Sequence, residues 1–161
     1  MKRNKHIVSL SHDHHDGLLF CWKIRQGVKN RVDPLRIVRY VRYYWQDHLL
    51  SHFQEEEQLL FILPGDEKVA RALDEHRQVA VLVNGLLNGP AEDAYPLLSV
   101  LADTVDNHIR FEERILFPYL EKRLPEAQLE NIGRQLNKNP HLPDAWPDAY
   151  WKDTTPSNPS R

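Results

Sequence analysis

Two stretches of the chain carry the same residue types in the same order, His-x-x-x-Glu-Glu-x-x-Leu-Phe, the first starting at His52 and the second at His108. On a helix, a residue and its fourth neighbour lie on the same face, one turn apart. The first stretch therefore presents the His52 imidazole beside the Glu56 carboxylate, and the second presents His108 beside Glu112. This pairing of side chains is typical of a metal site inside a helical bundle.

The composition indicates one soluble globular domain. The chain has 161 residues, of which 41% are hydrophobic and 27% are charged, values that are ordinary for such domains. A formal net charge of -2 gives no electrostatic reason to expect nucleic acid or an anionic membrane as a partner. No segment approaches the roughly 20 apolar residues of a membrane span, and no signal peptide is recognisable. Cys21 is the only cysteine, so a reducing cytoplasm is the expected compartment.

Helical periodicity predicts four long helices, of which two precede the sequence Leu63-Pro64-Gly65. The first should start at a capping serine, Ser9 or Ser11, and run to about Lys29. Asp33 supplies the cap of the second helix, and the proline that follows it favours a helix start. This helix is expected to span about seven or eight turns and to end at a Leu-Pro-Gly sequence.

The other two long helices follow the same signals. Asp66 caps the third helix, which ends at the turn that follows Asn88. The fourth should begin between Ala91 and Pro96, and Pro118 should kink or end it. With short connections, four such helices predict an all-α, up-down-up-down four-helix bundle.

A short fifth helix is expected over residues 125–136, packed outside the bundle. Residues 1–136 are therefore predicted to form the bundle domain and residues 137–161 an extended tail that is rich in proline. The tail contains three aromatic residues that could pin it to the bundle: Trp146, Tyr150 and Trp151. Its end, from Thr154 onward, is predicted to be disordered.

Each of the four apolar helix stripes contains one histidine, and two of them also contain a glutamate. The predicted metal ligands are His15, His52, Glu56, His76, His108 and Glu112. In the first helix, His15 lies one turn before Leu18 and Leu19 and so heads the predicted buried face, with His14 as the second choice.

Three other residues near these stripes have different expected roles. Glu57 and Glu113 follow their histidines by five residues, about 140° around the helix, so they are expected to be solvated or at a helix interface. His48 lies one turn before His52 and is either a ligand or a residue at the rim of the site.

A metal explains this set better than separate hydrogen-bonded core residues would. An ionised glutamate that is buried without a partner costs several kcal/mol, so it must be protonated, paired or bound to a cation. Imidazole and carboxylate without thiolate suit iron, manganese or zinc. Carboxylates on facing helices can bridge two ions, and positions left open on those ions permit chemistry or sensing.

The combined pattern resembles the hemerythrin-like family, the His-His-Glu cation-binding domains, over roughly residues 9–124. The residues that carry the resemblance are the segment Asp13-His14-His15-Asp16-Gly17-Leu18, His52 to Glu56, Glu75-His76, and Asn107-His108 to Glu112 with Leu116-Phe117-Pro118 after it. The resemblance implies two iron ions bridged by the two glutamates and by an oxo or hydroxo group. It also implies reactivity toward dioxygen, peroxide or nitric oxide.

Two departures from the oxygen-carrying members affect the expected function. Those carriers place two histidines one turn apart on the third helix, whereas Ala72 and Ala80 flank His76 here. They also take the fourth-helix carboxylate from the position of Glu113, although the stripe favours Glu112. A poorer ligand set fits sensing, iron handling or peroxide chemistry better than reversible oxygen storage.

The sequence therefore favours a non-haem di-iron protein that binds or senses oxygen, nitric oxide, peroxide or iron. A di-iron enzyme acting on peroxide or dioxygen is the alternative. The stripes indicate no substrate pocket. The residues near them that could act as an additional acid or base in catalysis are His48, Tyr44 and Tyr119. A third possibility is a structural bundle whose histidines are satisfied by hydrogen bonds.

Overall fold

The structure, a computed structural model, describes residues 2–153, and within them the fold is all-α with no β-strand. The main helices are α1 (Val8–Lys29), α2 (residues 34–60), α3 (Glu67–Asn88), α4 (residues 94–123) and α5 (Glu126–Leu136). Two short 3-10 turns occur at Ala91–Asp93 and Tyr150–Lys152. This confirms the predicted fold class, whereas the predicted disorder from Thr154 onward concerns residues outside the described part. No helix within that part is long and apolar enough to cross a membrane.

Aspartate caps start α2 and α3, as predicted. The Asp33 carboxylate accepts a hydrogen bond from the Leu35 backbone N–H at 3.0 Å. Asp66 accepts from the backbone N–H groups of Lys68 and Val69. These caps satisfy amides that have no partner within their own helix.

The start of α1 differs from the prediction. The helix begins at Val8 without a side-chain cap, so neither Ser9 nor Ser11 caps it. Ser11 lies inside the first turns, and its hydroxyl donates to Glu113 on α4 at 2.7 Å. The hydroxyl that could cap a helix thus links two helices instead.

Both helices that carry the repeat contain a π-helical turn that begins at the repeat's first glutamate, Glu56–Leu60 in α2 and Glu112–Leu116 in α4. In each turn, the backbone N–H five residues after the glutamate donates to the glutamate carbonyl. A third π-helical turn, Trp45–Leu49, lies earlier in α2. Such turns insert an extra residue into the helix and are frequent at functional sites.

Pro118 does not end α4, contrary to one predicted outcome. It occupies the first turn of the α-helical segment Phe117–Arg123, directly after the π-helical turn. Proline is tolerated at that position because its missing N–H has no partner to lose there. The helix therefore continues through Pro118 to Arg123.

A polar layer separates two apolar cores. Along α1, the residues before His14 belong to one core and those after it to the other, and the same change occurs at His76 in α3. In α2 and α4 the order is reversed, with the change at the repeat. This alternation is what an up-down-up-down bundle requires, because antiparallel neighbours meet the two cores in opposite order.

The C-terminal segment, residues 137–153, packs on α1 and α2. The Tyr150 ring is fully buried and lies so close to Gly27 that a Cβ atom there would be 2.7 Å from it. Asp144 accepts hydrogen bonds from the Tyr40 hydroxyl at 2.6 Å and from the Lys23 ammonium at 3.0 Å. The Arg36 guanidinium donates two hydrogen bonds to Asp148. These contacts fix the segment after α5, although the proposed domain boundary at residue 136 stays a prediction.

Candidate metal centre

Six side chains converge in the polar layer, where α1 and α3 each contribute one histidine and α2 and α4 each contribute a histidine and a glutamate. All six are buried, with exposed fractions between 0% and 6%. They form two groups that share both glutamates: His14, His52, Glu56 and Glu112 in the first, and Glu56, His76, His108 and Glu112 in the second. Each group has the composition of one cation site.

The two glutamates bridge the two groups through separate oxygen atoms. Glu56 Oε2 lies 3.2 Å from His52 Nε2 and 3.4 Å from His14 Nε2, whereas Glu56 Oε1 lies 3.1 Å from His76 Nε2. Glu112 behaves alike, with Oε1 at 2.8 Å from His14 Nε2 and Oε2 at 3.1 Å from His108 Nε2. One oxygen of each carboxylate thus belongs to each group.

These eight nitrogen and oxygen atoms, Nε2 of each histidine and both oxygens of each glutamate, lie close together but make no hydrogen bonds. Buried polar atoms without partners are rare in folded proteins. Two ligands that lie 90° apart around an ion, each about 2.1 Å from it, are about 3.0 Å from each other. The observed spacings match this geometry, so the donor set fits a pair of cations.

The other ring nitrogen of each histidine does have a partner, and in all four cases it is a carboxylate on another helix. The Nδ1 distances are 2.6 Å for His14 to Glu113, 2.9 Å for His52 to Asp13, 2.7 Å for His76 to Glu57 and 2.7 Å for His108 to Glu75. A hydrogen bond from Nδ1–H fixes the tautomer and leaves the Nε2 lone pair free for a metal. We call these four residues the outer carboxylates.

Glu57 and Glu113 lie at helix interfaces, one of the two positions expected for them. Glu57 contacts the imidazole of His76, and Glu113 contacts that of His14. Glu113, the alternative ligand, is in neither ligand group. A sequence signal existed, since every outer carboxylate is the immediate neighbour of a residue in the centre. Its meaning depends on contacts between helices, which spacing alone does not reveal.

The histidines and glutamates of the centre shift each other's pKa values, so that both are stabilised in their charged forms. Burial opposes protonation of the imidazoles, but the Glu56 charge and the hydrogen bond that His52 donates to Asp13 outweigh it and raise the pKa of His52 to about 9. The pKa of His76 rises to about 10 and that of His108 to about 9 for the same reasons, with Glu112 and Glu56 as the nearby charges. Burial and the Glu56 charge act against ionisation of Glu112, yet the histidines lower its pKa to about 2.

His14, and not His15, faces the centre. His15 is exposed on the surface of α1, whereas the buried face contains Leu10, His14, Gly17 and Cys21. The expected stripe relied on Leu19, which is 42% exposed. Gly17 is buried because α1 approaches α4 closely, and a Cβ atom there would be 2.7 Å from the Ile109 side chain. The buried face of α1 therefore includes small residues as well as large ones, and the stripe expected from Leu18 and Leu19 misses it.

His48 lies outside both ligand groups. Its Nε2 atom is 2.9 Å from the Tyr43 hydroxyl, and its ring packs against Tyr43 and Tyr44. This contact places it at the rim of the site, one of the two roles that its position in the sequence allowed.

Phenylalanine rings close the centre on two sides. The Phe53 ring stacks on the His76 imidazole with centroids 3.8 Å apart, and the Phe117 ring stacks on His14 at 5.2 Å. Phe61, at the end of the first repeat, also contacts His76, with centroids 5.6 Å apart. The Leu-Phe ending of the repeat thus supplies apolar walls to imidazoles from the neighbouring helices.

A cavity of about 540 Å³ reaches the centre between α1, α2, α4 and the C-terminal segment. Its lining includes His14, His52 and His108 of the centre, together with Tyr44, His48 and His141. The helix stripes gave no indication of this cavity. It is assembled from α1, α2, α4 and the C-terminal segment, and no single helix stripe contains its pattern.

Residues 5–121 match the hemerythrin HHE cation-binding domain. Comparisons with curated proteins and with solved structures gave no match. The matched range includes all six residues of the centre and the four outer carboxylates, and it leaves α5 and the C-terminal segment outside. Because the match covers well over half of the chain, the chain belongs to the hemerythrin HHE cation-binding domain family.

Proposed function

We propose that the chain is a non-haem di-iron protein that binds or senses oxygen, nitric oxide, peroxide or iron. The observation that carries the proposal is the set of eight buried nitrogen and oxygen atoms of the centre that have no hydrogen-bond partner. Buried carboxylates need a positive partner, which protonated imidazoles or a bound cation would supply here. Two cations would satisfy all eight atoms at once.

In this proposal each ion receives two imidazole nitrogens and one oxygen from each of two glutamates. One ion is held by His14 and His52, the other by His76 and His108, and Glu56 and Glu112 bridge them. Four protein donors leave open positions on an octahedral ion. Iron held in this way would supply Lewis acidity and electron transfer to a small ligand. Manganese and zinc accept the same donor types, so the identity of the metal needs measurement.

The test is elemental analysis of the chain purified without an affinity tag, together with absorption spectra before and after reduction. We expect two iron ions per chain and a spectrum that bleaches on reduction. His52→Ala and His108→Ala should lose bound iron. His14→Ala should also lose it, whereas His15→Ala should retain it, because His15 is the exposed neighbour on the same helix. Unchanged iron content in the first three variants would overturn the proposal.

The cavity supports a second candidate function, a di-iron enzyme that acts on peroxide or dioxygen. A volume of about 540 Å³ is within the range of small-molecule sites, and Tyr44 and His48 are polar groups in its wall. We expect that an enzyme of this kind would turn over peroxide faster than free iron does. Under this hypothesis, His48→Ala retains the metal but loses turnover, and a rate equal to that of free iron rejects it.

The remaining expectations concern partners and compartment. A diatomic molecule or peroxide is the proposed ligand. Phenylalanine rings pack against the histidines of the centre, and the cavity that reaches it would admit a small molecule. The single cysteine, Cys21, is buried and unpaired, which fits a reducing compartment such as the cytoplasm.

A further inference from the structure

The cavity beside the centre has an acidic lining. Its carboxylates are Asp13, Asp16, Asp47, Glu55 and Asp144, and no lysine or arginine among the described residues lines it. His141 from the C-terminal segment bridges Asp13 and Asp16, each at 2.7 Å, and Lys23 pairs with Asp144 from outside the lining. Asp47 and Glu55 form no ion pair within residues 2–153, so their charges face the cavity uncompensated.

The inner end of this cavity contains ligand atoms without partners. His14 and His52 line it, their exposed fractions are 3% and 6%, and their Nε2 atoms have no hydrogen bond. A path lined by carboxylates therefore leads directly to free imidazole nitrogens. The negative charge also affects Tyr44 in the cavity wall, since burial and the charges of Asp16 and Asp144 raise its pKa.

A groove on the α3 and α4 side of the centre has more basic than acidic residues in its lining, with Glu75 as its one carboxylate in the described part of the chain. This groove of about 510 Å³ passes His108, and three arginines line it: Arg71, Arg110 and Arg114. Arg71 pairs with Glu75, and Arg110 pairs with Asp106. A cation approaching through this groove would meet guanidinium groups first, whereas one approaching through the acidic cavity would meet carboxylates.

We propose that the acidic cavity is the uptake route by which a divalent cation reaches the centre, with Asp47 and Glu55 attracting the cation at its outer end. This inference rests on the proposed function, since it presupposes a metal at the centre. A cleft lined by one sign of charge concentrates counter-ions and can raise association rates by 10-fold or more. The effect is on rate, because neither Asp47 nor Glu55 contributes an atom to the two ligand groups.

The test measures metal uptake by metal-free protein under anaerobic conditions, with Fe²⁺ and separately Co²⁺, by stopped-flow competition with a coloured metal indicator. The double variant Asp47→Asn/Glu55→Gln removes both uncompensated charges. The matched control, Glu92→Gln/Asp93→Asn, removes two exposed carboxylates at the Ala91–Asp93 turn, away from the cavity. Both double variants change the net charge by the same amount.

We expect the cavity variant to take up metal about 5-fold more slowly than wild type at low salt, with the same final metal content. The difference should shrink at high salt because the Debye length falls to about 3 Å at 1 M. The control should match wild type. Equal uptake rates in all three proteins, at normal metal content, would overturn the route alone. A wild-type chain that takes up no metal would overturn the proposed function as well.

Discussion

At the scale of single residues, the centre depends on two layers of side chains. The inner layer supplies Nε2 and carboxylate oxygens, and the outer carboxylates hold the Nδ1 side of each imidazole. The outer layer acts through the histidines, because its members lie on the far side of each ring. Its removal should therefore weaken metal binding without removing a ligand.

Glu57 allows a direct test of the outer carboxylates. Its carboxylate on α2 accepts a hydrogen bond from His76 Nδ1 on α3. We expect Glu57→Ala to lower metal affinity by roughly 10-fold to 100-fold, because the His76 ring loses its fixed orientation. Glu57→Gln should lose less, since its amide oxygen still accepts the Nδ1 proton. Gln58→Ala, at the exposed next position, is the control. Chelator competition measures the affinity, and equal values for Glu57→Ala and wild type would contradict this role.

The raised histidine pKa values predict how the stability of the metal-free protein depends on pH. In the folded state these values are about 9 for His52 and His108 and about 10 for His76, above the ordinary value of about 6.5. Protonated imidazoles therefore add stability that is fully present below about pH 6.5 and is lost as the pH rises toward 9–10. As they lose protons, Glu56 and Glu112 remain buried without positive partners.

We expect the melting temperature of the metal-free protein to fall between pH 7 and pH 10. The metal-loaded protein should show a smaller fall, because cations replace the protons as partners of the carboxylates. Thermal unfolding followed by circular dichroism, with and without metal, measures both curves. A metal-free melting temperature that rises over this range would contradict the assignment of proton-stabilised histidines.

At the scale of elements, the π-helical turns and the close helix contacts decide what the repeat can do. Each of the turns Glu56–Leu60 and Glu112–Leu116 begins at the bridging glutamate. A reading based on 3.6 residues per turn does not anticipate this change of register. The second glutamates of the repeat, Glu57 and Glu113, lie within these turns and contact histidines on neighbouring helices.

The contact of the C-terminal segment with α1 can be tested at Gly27. A Cβ atom at this position would lie 2.7 Å from both the Ile37 side chain and the Tyr150 ring. We expect Gly27→Ala to destabilise the protein by about 1–3 kcal/mol through overpacking. Gly85→Ala is the matched control, since nothing lies within 4 Å of its added Cβ. The control should stabilise α3 by about 0.5–1 kcal/mol. Urea unfolding measures both, and equal midpoints would contradict the close contact.

At the scale of the whole molecule, a charged layer divides the apolar interior into two cores. Burying carboxylates and imidazoles between two cores reduces the stability that a continuous core would provide. A cation bound only by the folded state offsets this cost through mass action. The metal is therefore expected to act as a structural partner of the bundle as well as its functional centre.

Metal removal should lower the melting temperature of the full chain. A ligand present at 100 times its Kd stabilises the folded state by about 2.7 kcal/mol, so we expect a readily measured shift after dialysis against a chelator. Restoring the metal should restore the original value. An unchanged melting temperature would favour the structural bundle, in which hydrogen bonds alone satisfy the histidines.

Local spacing in the sequence was sufficient to predict the four long helices and the types of side chain that meet in the centre. Asp33 and Asp66 act as helix caps within their own turns, and the four-residue spacing from His52 to Glu56 places both side chains on one face. The same reasoning identified His76 as a histidine on an apolar stripe. These are short-range properties, and they hold whatever the helices pack against.

Which groups meet across helices depends on the packing of the helices against one another. His14 replaces His15 because α1 turns its small residues, such as Gly17, toward α4. The outer carboxylates, the acidic cavity and the fixed C-terminal segment all join residues that are distant in the sequence. Such contacts depend on the relative position and rotation of whole helices, which side-chain periodicity within one helix does not specify.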